Sequence, residues 1–283
     1  MDRLRPIASR QNAVVKDLRK AFTQAEPTRQ GAIAIEGVRI IEEAIRSGLR
    51  FQAVFFSESG RTHAERLLPQ ISSHTETVVL PDQVFASAVT TETPQGVAAL
   101  VMPRTTRLED ILEGAGDNTL SVGQSNDALI IGLAAVQDPG NVGTVIRSAE
   151  AFAARAVLLG ERTASHFNSK TVRASAGSAF RQPVIRAALL DTISMLKEHG
   201  FRAVATSSHK GKPLDELNLR GRLLLLIGSE GAGLPPAITA QADELVTIPH
   251  SPRVESLNAG IAASILLYEA WRQGRGAGLP KLP

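Results

Sequence analysis

Polar and apolar positions along the chain fall into two successive runs of alternating strands and helices. In the first, "AIAIEGVRIIEEAIRSG" passes from a short strand through Glu36 and Gly37 into a helix, whose apolar side carries Val38, Ile41 and Ala44 or Ile45. "FQAVFFSE" reads as a strand, "HAERLLPQIS" as a helix and "TETVVL" as a strand. "PDQVFASAV" follows as a helix and "GVAALVM" closes the set as a strand. Upstream, "SRQNAVVKDLRKAF" has the period of an amphipathic helix with Val14, Val15 and Leu18 inward.

The texture then changes. "PRTTRLEDILEGAGDNTLSVGQSNDA" holds one short helical candidate in a polar stretch with Gly and Ser, as a linker does. The expected division is a domain over 1–103, a linker over 104–126 and a second domain over 127–283. The second domain has stronger strands. "ALIIGLAAV" is apolar throughout, as in a parallel strand buried on both faces. A helix from about Val142, the strand "AVLLG", a helical candidate around "SKTVRASAGSAF" and the segment "QPVIRA" follow. Then come the helix "LLDTISMLKEHG", the strands "FRAVATS", "RLLLLIG" and "ELVTIP", and a last helix from Ser256 to about Trp271. The fold class is α/β.

Composition narrows the class of protein. With 283 residues there is enough chain for one large domain or two ordinary ones, each with its own core. No apolar run is long enough to span a bilayer, and "MDRLRPIASRQNAVV" lacks the apolar centre and cleavage site of a secretory leader. Cysteine is absent, which excludes disulfides, a thiol nucleophile and thiolate metal sites. A cytoplasmic protein is expected. The net charge of +3 and pI of about 9.5 permit contact with nucleic acid. Arg10, Lys16, Arg19 and Lys20 on the first helix suit either an RNA contact or a solvated helix face. An aromatic content of 4% argues against single-strand binding built on base stacking.

Ligands of α/β sheets gather beyond the carboxyl ends of strands, and three such loops carry unusual residues. In "QDPGNVGTVIRSAEAF", Asp138-Pro139-Gly140 breaks the strand and Asn141 falls where a helix N-cap belongs. Arg147 shares a helix side with Gly143, Ala151 and Ala154, away from Val145, Ala149 and Phe152. Side chains that small leave room for a phosphate or another subunit beside the guanidinium, and pairing with Glu150 is the structural alternative. In "LLLLIGSEGAGLPP" a buried strand ends at Gly228, and Gly231 and Gly233 allow backbone amides to approach a ligand. Glu230 would repel phosphates, so a nucleoside suits this loop better than a nucleotide. In "VTIPHSPRVESLNAGIAASILLYEAW" Pro249 and Pro252 stiffen the backbone and Ser256 is a candidate cap. Ala259, Gly260, Ala263 and Ser264 are small enough for close packing, and His250 has no partner at metal-ligand spacing. No Ser-His-Asp order, metal cluster or carboxylate pair is present, so no metal is expected. The residues by themselves reach as far as a nucleoside- or nucleotide-binding α/β enzyme.

Taken together, the loops resemble the SpoU (TrmH-like) branch of the SPOUT RNA methyltransferases. D-P-x-N-x-G-x-x-x-R stands as Asp138, Pro139, Asn141, Gly143 and Arg147. G-x-E-x-x-G-L stands as Gly228, Glu230, Gly233 and Leu234. I-P-x-x-x-x-V-x-S-L-N stands as Ile248, Pro249, Val254, Ser256, Leu257 and Asn258. His250 and Pro252 depart from the methionine and glycine that many members carry there. "SRQNAVVKDLRK", "IEGVRIIEEAI" and "TPQGVAALV" resemble the smaller substrate-binding domain of the ribosomal-RNA members, similar to ribosomal protein L30e.

The resemblance implies methyl transfer from S-adenosylmethionine to a ribose 2′-hydroxyl, by a homodimer with its site at the subunit interface. It also implies a parallel sheet tied in a deep trefoil knot, an exception to unknotted chains. Arg147, always charged, would grip the target phosphate and polarise the adjacent hydroxyl. Asn141 would orient Arg147 or the ribose, Glu230 and Asn258 would fix the polar network, and Ser256 would hold substrate or loop. Gly228, Gly231, Ile248, Pro249, Ser256 and Leu257 would frame the cofactor, and Arg10, Lys16 and Arg19 would meet RNA. The N-terminal domain points to 23S ribosomal RNA over tRNA, whose enzymes in this branch usually lack such a domain. The presence of Arg147, Glu230 and Asn258 disfavours a non-catalytic RNA-binding protein. The lack of a Gly-rich first loop followed by an acid disfavours a Rossmann-type methyltransferase.

Overall fold

A computed structural model of the chain describes residues 3–113 and 128–274, which form two units. Within the first, strand β1 (Arg5–Pro6), helix α1 (Ala13–Gln24), β2 (Ile33–Glu36), α2 (Val38–Arg46) and β3 (Arg50–Ser57) come in that order. They are followed by α3 (His63–Leu67), β4 (Glu76–Leu80), α4 (Asp82–Ala86) and β5 (Val97–Met102). The five strands make one sheet in the order β1-β4-β3-β5-β2, parallel between β1, β4 and β3 and antiparallel from β3 through β5 to β2.

Alternation along these strands feeds two cores. Ala53, Phe55, Ala98 and Leu100 face α1 and α4, where Val15, Leu18 and Phe85 meet them. Val54, Phe56, Val97 and Ala99 face the other way, onto Ile41 and Ala44 of α2 and Leu67 of α3. Burying a side chain of this size contributes roughly 1.5–3 kcal/mol, so register is fixed on both faces at once.

Along the second run lie α5 (Leu108–Leu112), β6 (Ala128–Leu133), α6 (Pro139–Ala151), β7 (Ala156–Leu159), α7 (Ser169–Ala174), β8 (Val184–Arg186) and α8 (Leu189–Glu198). Then come β9 (Arg202–Thr206), β10 (Lys212–Pro213), β11 (Arg222–Ile227), α9 (Pro236–Thr239), β12 (Glu244–Thr247) and α10 (Ala259–Gly274). The seven strands are ordered β10-β12-β9-β11-β6-β7-β8, and every pairing is parallel. Ile130, Leu158, Leu224 and Leu226 pack on Leu189, Ile193 and Leu196 of α8, with Leu108 and Ile111 of α5 in the same core. Helices α6 and α10 pack on each other, and the Ser148 and Ser264 hydroxyls meet at 2.7 Å.

Two features add to the sequence reading. Residues 105–113, inside the expected linker, belong to the second unit through Leu108 and Ile111, while residues 114–127 lie outside the described residues. Residues 165–181, inside the expected second domain, group with the first unit, where Phe167, Val172 and Phe180 join the core around Ile33 and Ile35. Among the described residues no helix is long and apolar enough to cross a membrane.

Candidate active site

Strands β12, β9 and β11 are neighbours in the second sheet, so the loops that leave their carboxyl ends lie side by side. Together these loops enclose a cavity of about 460 Å³, within the roughly 300–1,000 Å³ common for small-molecule sites. Gly228, Glu230 and Gly231 line it from the loop after β11, and Ile248, Ser256 and Leu257 from the loop after β12. The loop after β9 adds Ser207, His209 and Lys210. This third contributor carries none of the three motifs, and its one signal in the chain is that "SSHKG" follows a strand at its carboxyl end.

The glycines of the β11 loop differ in what they do. A Cβ on Gly228 would lie 2.1 Å from the carbonyl carbon of Gly233, so the loop closes on itself only because residue 228 has no side chain. Ser229 and Gly233 exchange backbone hydrogen bonds at 3.1 and 3.0 Å across that closure. A Cβ on Gly231 would meet nothing within 4 Å. Gly231 therefore faces open space beside the cavity.

The first loop behaves differently from its sequence expectation. Helix α6 begins earlier, with Asp138 at the N-cap and Pro139 at the first position, because a proline with fixed φ and no N–H suits that place. Asn141 is consequently inside the first turn and buried. Its amide Nδ2 donates a hydrogen bond to Oε1 of Glu230, which joins the first and second motifs. Nor does Ser256 cap the last helix. Asn258 does so, its Oδ1 accepting the Ile261 N–H at 3.2 Å, while Ser256 is exposed and free to line the cavity.

Gly260 is the meeting point of two motifs. A Cβ there would fall 3.2 Å from Oδ1 of both Asn141 and Asn258, and as close to Thr144. The two amide side chains thus converge on the packed α6–α10 surface beside the cavity. Pro249 and Asn258 are not among the cavity's lining residues. His250 is, and its Nδ1 lies 2.7 Å from the Ile248 carbonyl, as a donor in that tautomer.

Arg147 is exposed, with no hydrogen bond or ion pair to any described residue, and it does not line the cavity. Of the small residues expected to flank it, Gly143 and Ala154 are buried and only Ala151 is open. The nearby face of α10 leaves Ile261 53%, Ile265 36% and Tyr268 46% exposed, and Val254 just before it 49%. A second cavity of about 500 Å³ shares the loop from Ser229 to Leu234 and reaches Gln137 and Arg162. Glu230 lines both.

In the first unit, Arg19 is held: its Nε and Nη2 donate to the backbone oxygen and hydroxyl of Ser87 at 3.0 and 3.4 Å. Arg10 reaches the Gln83 carbonyl at 3.4 Å, and Lys16 is exposed.

Residues 128–268 match the SpoU rRNA Methylase family and residues 12–99 the MRM3-like substrate binding domain. A 23S rRNA (guanosine(2553)-2′-O)-methyltransferase of Bacillus subtilis, RlmP, is 34% identical over 94% of this chain and 98% of its own. The chain belongs to the SpoU rRNA methylase family. It is a methyltransferase. An AdoMet-bound rRNA methyltransferase from Sinorhizobium meliloti superposes with a TM-score of 0.78 at 26% identity, over 95% of this chain and 98% of that one. The SpoU methyltransferase AviRb of Streptomyces viridochromogenes, in complex with AdoMet, gives 0.77 at 27%, over 95% and 100%.

Proposed function

We propose that this methyltransferase uses S-adenosylmethionine to methylate a ribose 2′-hydroxyl of 23S ribosomal RNA. The observation that carries the reading is the bond from Asn141 to Glu230, a residue that lines a cavity of small-molecule size between strand ends. The lining suits the cofactor. Ile227, Leu245, Ile248 and Leu257 offer apolar walls to adenine, and the backbone around Gly228 and Gly231 offers polar edges to the ribose. When bound, the cofactor supplies an electrophilic methyl group.

The chain's own work is orientation. A ribose hydroxyl is a weak acid, and the guanidinium of Arg147, charged at all working pH values, makes a poor base. Its planar fork grips the phosphate beside the target hydroxyl in two parallel bonds and holds that oxygen in line. Asn141, fixed by Glu230, sets the position of the ribose or of Arg147, and Asn258 holds the start of α10 against it. Pro249 stiffens the β12 loop from outside the lining.

A homodimer is part of the proposal. Arg147 stands apart from the cavity lining on a helix packed against α10, whose Ile261, Ile265 and Tyr268 are uncovered. A second copy laid on that face buries them and brings its own Arg147 toward the first copy's cavity. The trefoil knot that the motif resemblance implies goes with this reading. So does a cytoplasmic location, where ribosomal RNA is found, and so does RNA contact through Lys16 and Arg10. The test is mass-spectrometric mapping of ribose methylation in 23S ribosomal RNA from cells with and without the gene. One 2′-O-methyl nucleotide should vanish on deletion and return with the wild-type chain, and an unchanged map defeats the proposal.

A further inference from the structure

The loop after β9 places a cation at the cavity that no motif accounts for. Lys210 lines the same cavity as Glu230, His209 and His250. Its neighbour two residues on, Lys212, is committed elsewhere: its Nζ donates to Oε2 of Glu244 at 2.7 Å. Lys210 has no such partner among the described residues. The backbone beneath it is held. The Ser207 hydroxyl accepts the Lys210 N–H at 3.0 Å. Gly211, at φ +112°, presses so close to Leu245 that a Cβ would lie 2.4 Å from its carbonyl oxygen. A side chain at 210 therefore leaves from a fixed point in the cavity lining.

The titratable groups at the cavity are one carboxylate, two imidazoles and this ammonium. Nδ1 of His250 is taken up by the Ile248 carbonyl at 2.7 Å. S-adenosylmethionine carries a single anionic group, the carboxylate of its methionyl tail, and two cationic centres. With adenine on the apolar wall, Lys210 is the lining group of fixed positive charge that complements that carboxylate.

We propose that Lys210 binds the cofactor's methionyl carboxylate and so distinguishes the full cofactor from adenosine thioethers without the amino-acid tail. The assignment rests on the cofactor reading above. Calorimetry on the full chain separates the two, using S-adenosylhomocysteine and 5′-methylthioadenosine, which share the adenosine and the sulfur but differ in the charged tail. Wild type should bind the homocysteine compound more tightly. In Lys210→Met that advantage should shrink about tenfold, the loss of one charge-assisted contact, with methylthioadenosine affinity unchanged, and Lys210→Arg should keep most of it. Equal weakening of both ligands marks a merely structural lysine and overturns the assignment. So does an unchanged ratio accompanied by weaker RNA binding, which would turn the side chain toward RNA. If wild type binds neither compound, the cofactor reading falls and this assignment with it.

Discussion

Two glutamates stand at strand ends of this protein beside a glycine, and they are held in opposite ways. Glu36, closing β2 in the first unit, is 6% exposed and accepts the Thr91 hydroxyl at 2.7 Å. Burial pushes its carboxyl above the ordinary value, against the opposing pull of Thr91 and Arg173. Glu230, in the loop after β11, is exposed, takes one bond from Asn141 and lines two cavities. One carboxylate is closed off by its own fold, whereas the other's second oxygen has no hydrogen-bond partner among the described residues. A Glu-Gly pair at a strand end thus says little until its surroundings are known.

The largest effect is expected from Arg147→Ala in the second unit. Methyl transfer in single turnover should fall on the order of 100- to 1,000-fold, with affinity for S-adenosylhomocysteine unchanged. Arg147→Lys should fail nearly as badly, because an ammonium lacks the planar fork. If the site draws on both copies, mixing Arg147→Ala with Glu230→Ala chains restores part of the rate. Near-normal transfer by Arg147→Ala would remove the mechanism.

Next in size is the contrast of two glycines. Gly228→Ala forces a methyl into the Gly233 backbone, and cofactor-analogue binding should drop more than tenfold as the loop opens. Gly231→Ala meets open space, so the free protein's melting temperature should stay within about a degree. Equal effects on stability from the two substitutions would contradict the loop geometry.

The first unit offers a smaller effect. Lys16→Ala should reduce the salt dependence of RNA affinity by about one phosphate contact, while Arg19→Ala should mainly lower thermal stability by releasing Ser87. A salt slope that responds only to Arg19 would reverse these assignments.

The smallest effect is on pH. A carboxyl whose pKa is raised by folding holds its proton more tightly in the native state. Stability therefore falls as pH climbs from the ordinary 4.5 through the raised value. Glu36→Gln removes that slope and still accepts from Thr91. Its melting temperature should exceed wild type by on the order of 2 °C at neutral pH, with the difference closing below pH 4.5. A constant offset at all pH values would mean that Glu36 titrates normally.

Strands and most helices were legible because each carries its period in its own residues. "ALIIGLAAV" and "RLLLLIG" are apolar on both faces and became central parallel strands, and "FQAVFFS" sends Phe55 and Phe56 to opposite cores. The short β1 and β10 have two residues each, too few for any period. The helix starts were misjudged at Asn141 and Ser256 for a common reason: several residues nearby could cap, and the choice depends on what else each side chain must reach. Asn141 is held by Glu230, 89 positions away, and Asn258 takes the cap while Ser256 faces the cavity.

The α/β class, the order of most elements and three motifs whose joint spacing marks the family are all readable along the chain. Those features depend on local sterics, on burial periodicity and on residue types at fixed separation. Tertiary structure alone decided that residues 165–181 join the first unit's core, that Arg19 is spent on Ser87, and that Gly260 receives two asparagines. It also decided that the loop after β9 joins the cavity. Each of these is a contact between segments far apart in the chain, set by sheet order and packing, and no local pattern encodes which distant partner a side chain will meet.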